Sequence, residues 1–224
     1  MISTAERNFE QGYFQQNYPD YERQNPPRKL RYYREMIERF RTPDLPRRVH
    51  DIGCAFGRFL ESMGPGWEPF GSDVSTFALE RARMRLPRAR FALRTQAGAD
   101  WQPGTFGAVT AFDVAEHVPD LHALAAEVKT QLAPGGVFVL VVPVYDGLSG
   151  PVIRRLDKDP THLHKWPRAK WLEWAGRHFR VEHWEGIVRY LLPTRQYLHV
   201  PTRLFRAHAP AVMIVCRKES GVGR

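Results

Sequence analysis

The stretch VHDIGCAFGRFL, Val49 to Leu60, constrains this chain more than any other. Val49 and Ile52 are β-branched and lead into a turn. Asp51, Gly53 and Gly57 follow at the spacing Asp-x-Gly-x-x-x-Gly. Arg58, Phe59 and Leu60 then open a helical pattern that stops at Gly64-Pro65-Gly66. A strand, a glycine turn and a helix start aim unsatisfied backbone N–H groups at whatever lies above the turn, and glycine lets that group come close. The Gly-x-Gly-x-x-Gly of dinucleotide binders and the Gly-Lys-Ser/Thr of phosphate loops are both missing. That argues against a nicotinamide-dependent oxidoreductase.

The rest of the chain alternates strands with helices. Residues 1–27 are polar and aromatic and read as an extension with little regular structure, followed by an amphipathic helix over Arg28 to Arg41 with Leu30, Tyr33, Ile37 and Phe40 on one face. Together, residues 1–46 form an N-terminal cover ahead of a domain spanning 47–224. After the glycine turn, Phe70 to Val74 reads as a second strand with Asp73 at its end, 22 residues past Asp51. In doubly wound nucleotide sites a carboxylate meets a ribose at an offset of about 20 residues. Ser75 is placed to cap the next helix. Short strands follow at Phe91 to Leu93 and Ala108 to Phe112. Asp120 caps a helix carrying Leu121, Leu124, Ala125, Val128 and Leu132, which Pro134-Gly135-Gly136 ends. Val137 to Pro143 is continuously apolar, as a strand buried on both faces should be. Residues 144–165 read as loop, Pro167 to His178 as helix, and Phe179 to Trp184 and Ala211 to Arg217 as the last two strands. The expected fold is therefore α/β: a doubly wound, mostly parallel, seven-stranded sheet with helices on both faces. Ligands on such sheets sit at the strands' carboxyl ends, where Asp51–Gly57, Asp73 and Asp113–His117 converge.

Four blocks in order resemble the class I, Rossmann-like, S-adenosylmethionine-dependent methyltransferases. DIGCAFG looks like the first motif of that family and GSDVS like its second-strand motif. TFGAVTAFDVAEHV is similar to its fourth-strand segment, and LAPGGVFVLVVP to its Pro-Gly-Gly turn and fifth strand. The resemblance covers Arg48 to about Pro143. It implies S-adenosyl-L-methionine as cofactor, held by Asp51, Gly53, Gly57, Asp73, Phe112 and Asp113. Asp73 would take the ribose hydroxyls, and Gly57 serves either the cofactor or helix packing. Two positions depart from the pattern. Gly107 stands where the family has an acidic residue, and RTQAGADW (Arg94 to Trp101) lacks an acidic residue for the adenine, leaving Ala97, Gly98, Ala99 or Trp101 as candidates.

The expected reaction is methyl transfer to a small-molecule acceptor, most readily at oxygen, for which a general base helps. His117, His162 and His164 are the candidate catalytic residues, with Glu116, Asp157 and Asp159 as partners. His162-x-His164 beside Asp157 and Asp159 has metal-ligand residue types but no third ligand at diagnostic spacing, so no metal is expected. Trp166, Trp171 and Trp174 read as helix packing. Tyr13, Tyr18 and Tyr21 form either a lid or a packed extension. Residues 144–165 and the basic, aromatic segment 189–208 are expected to be acceptor-side loops.

Charge offers a rival reading. The net charge is +9, and residues 151–224 hold fifteen Lys and Arg against six Asp and Glu. Such an excess attracts polyanions, so the alternative is an RNA-binding protein or RNA methyltransferase on the same fold. No recognisable RNA-binding module supports it, and the expected partner remains a small molecule rather than nucleic acid. The two cysteines lack metal spacing, the N-terminus lacks an apolar secretory core, and no apolar run reaches the roughly 20 residues a spanning helix needs. A cytoplasmic location is expected. The sequence leaves the oligomeric state open.

Overall fold

The computed structural model describes residues 11–17, 20–96, 101–147, 150–157, 159–191 and 197–219. Five strands run parallel: β1 (Arg48–Ile52), β2 (Glu68–Asp73), β3 (Arg90–Leu93), β4 (Phe106–Phe112) and β5 (Leu132–Pro143). Three more, β6 (Arg180–Leu191), β7 (Tyr197–Thr202) and β8 (Ala211–Arg217), extend the sheet in antiparallel fashion. The order is β3-β2-β1-β4-β5-β8-β6-β7. The chain winds outward from β1 through β3, then restarts beside β1 with β4. The carboxyl ends of β1 and β4 thus flank the point where strand order reverses, which is where ligands bind such sheets.

Both faces are covered. On one lie α3 (Pro27–Phe40), α4 (Arg58–Ser62) and α5 (Thr76–Arg85), whose Leu30, Ile37, Leu60 and Leu79 share one buried cluster with Val137, Val139 and Val141 of β5. On the other lie α6 (Leu121–Gln131) and α8 (Arg168–His178), whose Leu124, Val128 and Trp171 share a second buried cluster with Phe138, Leu140 and Val142. Alternate residues of β5 therefore serve opposite cores, which explains the unbroken apolar run. The caps fall where the sequence puts them. Ser75 accepts from Ala78 N–H at the start of α5, and Asp120 accepts from His122 and Ala123 N–H at the start of α6.

Several elements differ from expectation. The segment before α3 holds two short helices, α1 (Gln11–Asn17) and α2 (Tyr21–Gln24), the second capped by Asp20. The stretch 144–165 contains another, α7 (Gly150–Leu156). β5 begins at Leu132, five residues early, and the Pro-Gly-Gly turn is absorbed as an irregularity in its pairing with β4. The sheet has eight strands rather than seven, because 189–208 supplies the end of β6 and all of β7 as a hairpin. Pro201 lies within β7, and an edge strand accommodates a proline. Gly107, the departure in β4, has a steric cause: a Cβ there would lie 2.2 Å from the Pro46 carbonyl oxygen.

Candidate active site

A cavity of about 1040 Å³ opens at the carboxyl ends of β1, β2 and β4, lined by Asp51, Gly53, Asp73, Phe112, Asp113 and His117 among others. Its floor is the glycine turn. Gly53 and Cys54 N–H donate to the Ser72 carbonyl, which ties the turn to β2. Gly53 has φ +71°, and a Cβ on it would lie 2.3 Å from Val114 Cγ2, so only glycine fits. Gly57 also has a positive φ, but its neighbours are Ala82 and Phe91, and it does not line the cavity. Its geometry serves the packing of α4 on α5.

Two carboxylates face the cavity beside the turn. Asp73 Oδ2 accepts from Ala55 N–H and its Oδ1 from Ser75 N–H, both at 2.9 Å. These two donors fix the carboxylate plane. Asp51 Oδ1 accepts from the Thr110 hydroxyl at 2.5 Å. Burial, opposed by that hydrogen bond, pushes the Asp51 pKa to about 7. Phe112 closes the neighbouring wall, stacked on Tyr33 of α3 at 4.3 Å and edge-on to Phe59. Trp101, a candidate for the adenine, is instead buried against His50, Phe70 and Phe106 and does not line the cavity. Ala97, Gly98 and Ala99 lie outside the described residues.

Asp113 directly follows β4 with φ +57° and is held by Arg189 of β6, whose Nη1 donates to both carboxylate oxygens at 2.5 and 2.7 Å. Burial would raise this carboxyl, but the Arg189 and Lys29 cations outweigh it and hold it below the ordinary range. A single 3₁₀ turn, Ala115–His117, follows. Glu116 within it is 1% exposed, and its Oε2 has no hydrogen-bond partner among the described residues. Burial, reinforced by Asp113, pushes its pKa well up. Leu163 and His164 N–H donate to the Glu116 carbonyl at 2.9 and 3.1 Å, stitching the segment after α7 onto this turn.

The three histidines part company here. His117 lines the cavity and makes its Nδ1 contacts with the Thr161 carbonyl at 3.1 Å and hydroxyl at 2.9 Å. Burial, then the neighbouring His162, lowers its pKa, so the ring is neutral at pH 7. His162 lies directly behind it, ring centroids 4.6 Å apart, its Nδ1 2.9 Å from Asp157 Oδ2 and 3.1 Å from the Tyr145 hydroxyl. His164 is turned away: its Nε2 donates to the Val118 carbonyl at 2.8 Å, its ring lies against Trp166, and it does not line the cavity.

The N-terminal segment supplies the roof. Tyr13, Phe14 and Tyr21 line the cavity. Phe14 packs on Phe56 and Phe77, Tyr21 on Phe56, and the Tyr13 hydroxyl donates to Asp159 Oδ2 at 3.3 Å. Tyr18 lies outside the described residues. Lys29 is nearly buried and lies 5.0 Å from the Tyr197 ring centroid. Trp166, Trp171 and Trp174 pack together in the core, as the sequence suggests. Arg189, Lys29, Tyr145 and Thr161 were not legible as site residues, since each reaches the site only through tertiary contacts.

The cavity thus combines a carboxylate of fixed orientation, a backbone turn that admits close approach, a buried acid near neutrality and aromatic walls. This set fits a molecule that carries a diol, an amino acid end and a sulfonium. A model of the methyltransferase domain family matches residues 21–194. A trans-aconitate 2-methyltransferase of Methylobacterium radiotolerans is 36% identical over 115 residues, 50% of this chain and 43% of that one. A ubiquinone biosynthesis O-methyltransferase of Burkholderia ambifaria is 35% identical over 96 residues, 40% and 41% of the two chains. The matched region thus spans less than half the length of these curated relatives. An S-adenosylmethionine-dependent methyltransferase structure from Thermotoga maritima shares the fold, with a TM-score of 0.65 at 14% identity over 93% of this chain and 99% of that one. With the family model covering most of the sequence and the sheet wound as that fold requires, the chain belongs to the class I S-adenosylmethionine-dependent methyltransferases.

Proposed function

We propose that the protein methylates an oxygen of a small-molecule acceptor held under the N-terminal roof, between the glycine turn and the His117 wall. The observation that carries this reading is the cavity itself, which brings Asp73 and Gly53 at one end and His117, Thr161 and Asp159 at the other into one roofed space. The two curated relatives support a small acceptor, and the O-methyltransferase among them supports oxygen. S-adenosylmethionine, when bound, supplies an electrophilic methyl group. The chain's own residues do the rest. Asp73, with its plane set by Ala55 and Ser75, accepts from the ribose diol. Asp51 faces the amino acid end as a counter-charge, and Gly53 clears its path. Phe112 and Tyr21 wall the remainder and keep water out. His117, oriented by Thr161, places the acceptor oxygen, and alignment of this kind supplies several kcal/mol of the barrier. His162 backs His117, and His164 holds the loop.

The test is methyl transfer from S-adenosylmethionine labelled in its methyl group, offered to small hydroxyl and carboxyl compounds, to amines and to RNA. Label should appear on an oxygen acceptor. The Asp73→Ala protein should bind the cofactor roughly 10- to 100-fold more weakly by calorimetry, as loss of hydrogen bonds to a charged group implies. Label found only on amines or RNA overturns the reading.

A further inference from the structure

We propose that Glu116, His117 and His162 hold a divalent first-row transition cation on the acceptor side of the cavity. One ligand atom from each of these three residues lies within 4.8 Å of the other two, the spread a single ion can draw together. The set is one carboxylate and two imidazoles, which suits Mn²⁺, Fe²⁺, Co²⁺ or Zn²⁺ better than Mg²⁺ or Ca²⁺. Three protein ligands leave coordination positions open.

Three further observations point the same way. The first is Glu116 Oε2, which is fully buried and unpartnered among the described residues. A buried polar atom in that condition calls for a ligand. The second is the backing of the two rings. A carbonyl can only accept, so His117 donates Nδ1–H to Thr161, which leaves Nε2 as the atom a cation would take. His162 Nδ1 meets the Asp157 carboxylate, which the Tyr145 hydroxyl and Lys165 also hold. Metal-binding imidazoles are held in this way, with the distal nitrogen donating to a carboxylate or carbonyl. The third is rigidity. The ligands come from two segments 46 residues apart, and the Leu163 and His164 N–H bonds to the Glu116 carbonyl lock those segments together.

His117 lines the cavity beside Thr161 and Asp159, whereas Glu116 and His162 do not line it. The cation would therefore sit within the cavity wall, behind the His117 ring, and its binding does not depend on the acceptor reading above.

The experiment uses the untagged 224-residue chain, stripped with a chelator and titrated with Co²⁺ (followed by its visible absorption) and with Mn²⁺ by calorimetry. One cation per chain should bind. His162→Ala and Glu116→Gln should each weaken binding more than tenfold, and Asp157→Asn about tenfold, the usual cost of losing a carboxylate behind a ligating histidine. Near-ultraviolet circular dichroism confirms that each variant is folded. S-adenosylmethionine affinity, measured in chelator, should be unchanged in His162→Ala, which separates this site from the cofactor site. The proposal is overturned if the folded wild-type chain takes up no Co²⁺ at millimolar concentration. It is equally overturned if folded His162→Ala and Glu116→Gln bind as wild type does.

Discussion

Asp51 lies near the end of β1 inside the protein, and burial pushes its pKa to about 7 against an ordinary 3.8. The sign of the consequence follows. A folded-state value above the unfolded one means the native chain binds the extra proton, so the contribution to stability is full below 3.8 and is lost as pH rises through 7. Without cofactor, the Asp51→Asn protein should lose this part of the decline in melting temperature between pH 5 and 8. A cation placed beside Asp51 favours the ionised form. Cofactor binding near pH 7 should therefore release a fraction of a proton and tighten as pH rises. Calorimetry in buffers of different ionisation enthalpy reads that release directly, and Asp51→Asn should abolish it. A binding enthalpy independent of buffer would show that no cationic group reaches this carboxyl.

At the scale of elements, an ion pair joins β6 of the β6–β7 hairpin to the site. Arg189 crosses from β6 to Asp113, 76 residues away, and both side chains are largely buried. Removing one member strands a buried charge, which costs about 3–5 kcal/mol, whereas removing both often costs little. Arg189→Met should thus lower unfolding stability by that amount, and Asp113→Asn in the same chain should restore most of it. Additive losses in urea denaturation would mean that the pair is not coupled. This pair also marks the limit of reading the sequence. Ser75, Asp120, the stripe of α6 and the apolar run of β5 announce themselves within a dozen residues, because capping and periodicity are local. In the sequence β7 reads as part of an acceptor-side loop, because nothing local reveals an edge position. The candidate histidines separate for a similar reason. His162 and His164 are two residues apart, but the chain sends His162 toward Asp157 and His117, and His164 toward Val118.

For the whole molecule, the question is where the +9 charge goes. In sequence order the basic excess lies in residues 151–224, while residues 51–150 carry eight basic and eleven acidic groups. Folding interleaves the two. Arg189 pairs with Asp113 and Arg168 with Asp146, both acids of the middle segment, while Arg180 and Arg217 share Glu182 and Lys165 meets Asp157. Arg217 also donates to the Phe40 and Gly135 carbonyls, so its donors serve to join three elements. Much of the apparent polyanion-binding charge is therefore engaged within the fold. An RNA-binding protein that contacts several phosphates loses affinity steeply with salt yet keeps a measurable specific constant at physiological strength. Here, fluorescence anisotropy with a labelled single-stranded RNA should show only weak association at low salt, vanishing near 150 mM as expected for nonspecific contacts. Saturable binding that survives that salt, with a slope reporting several displaced counterions, would move the acceptor from a small molecule to RNA.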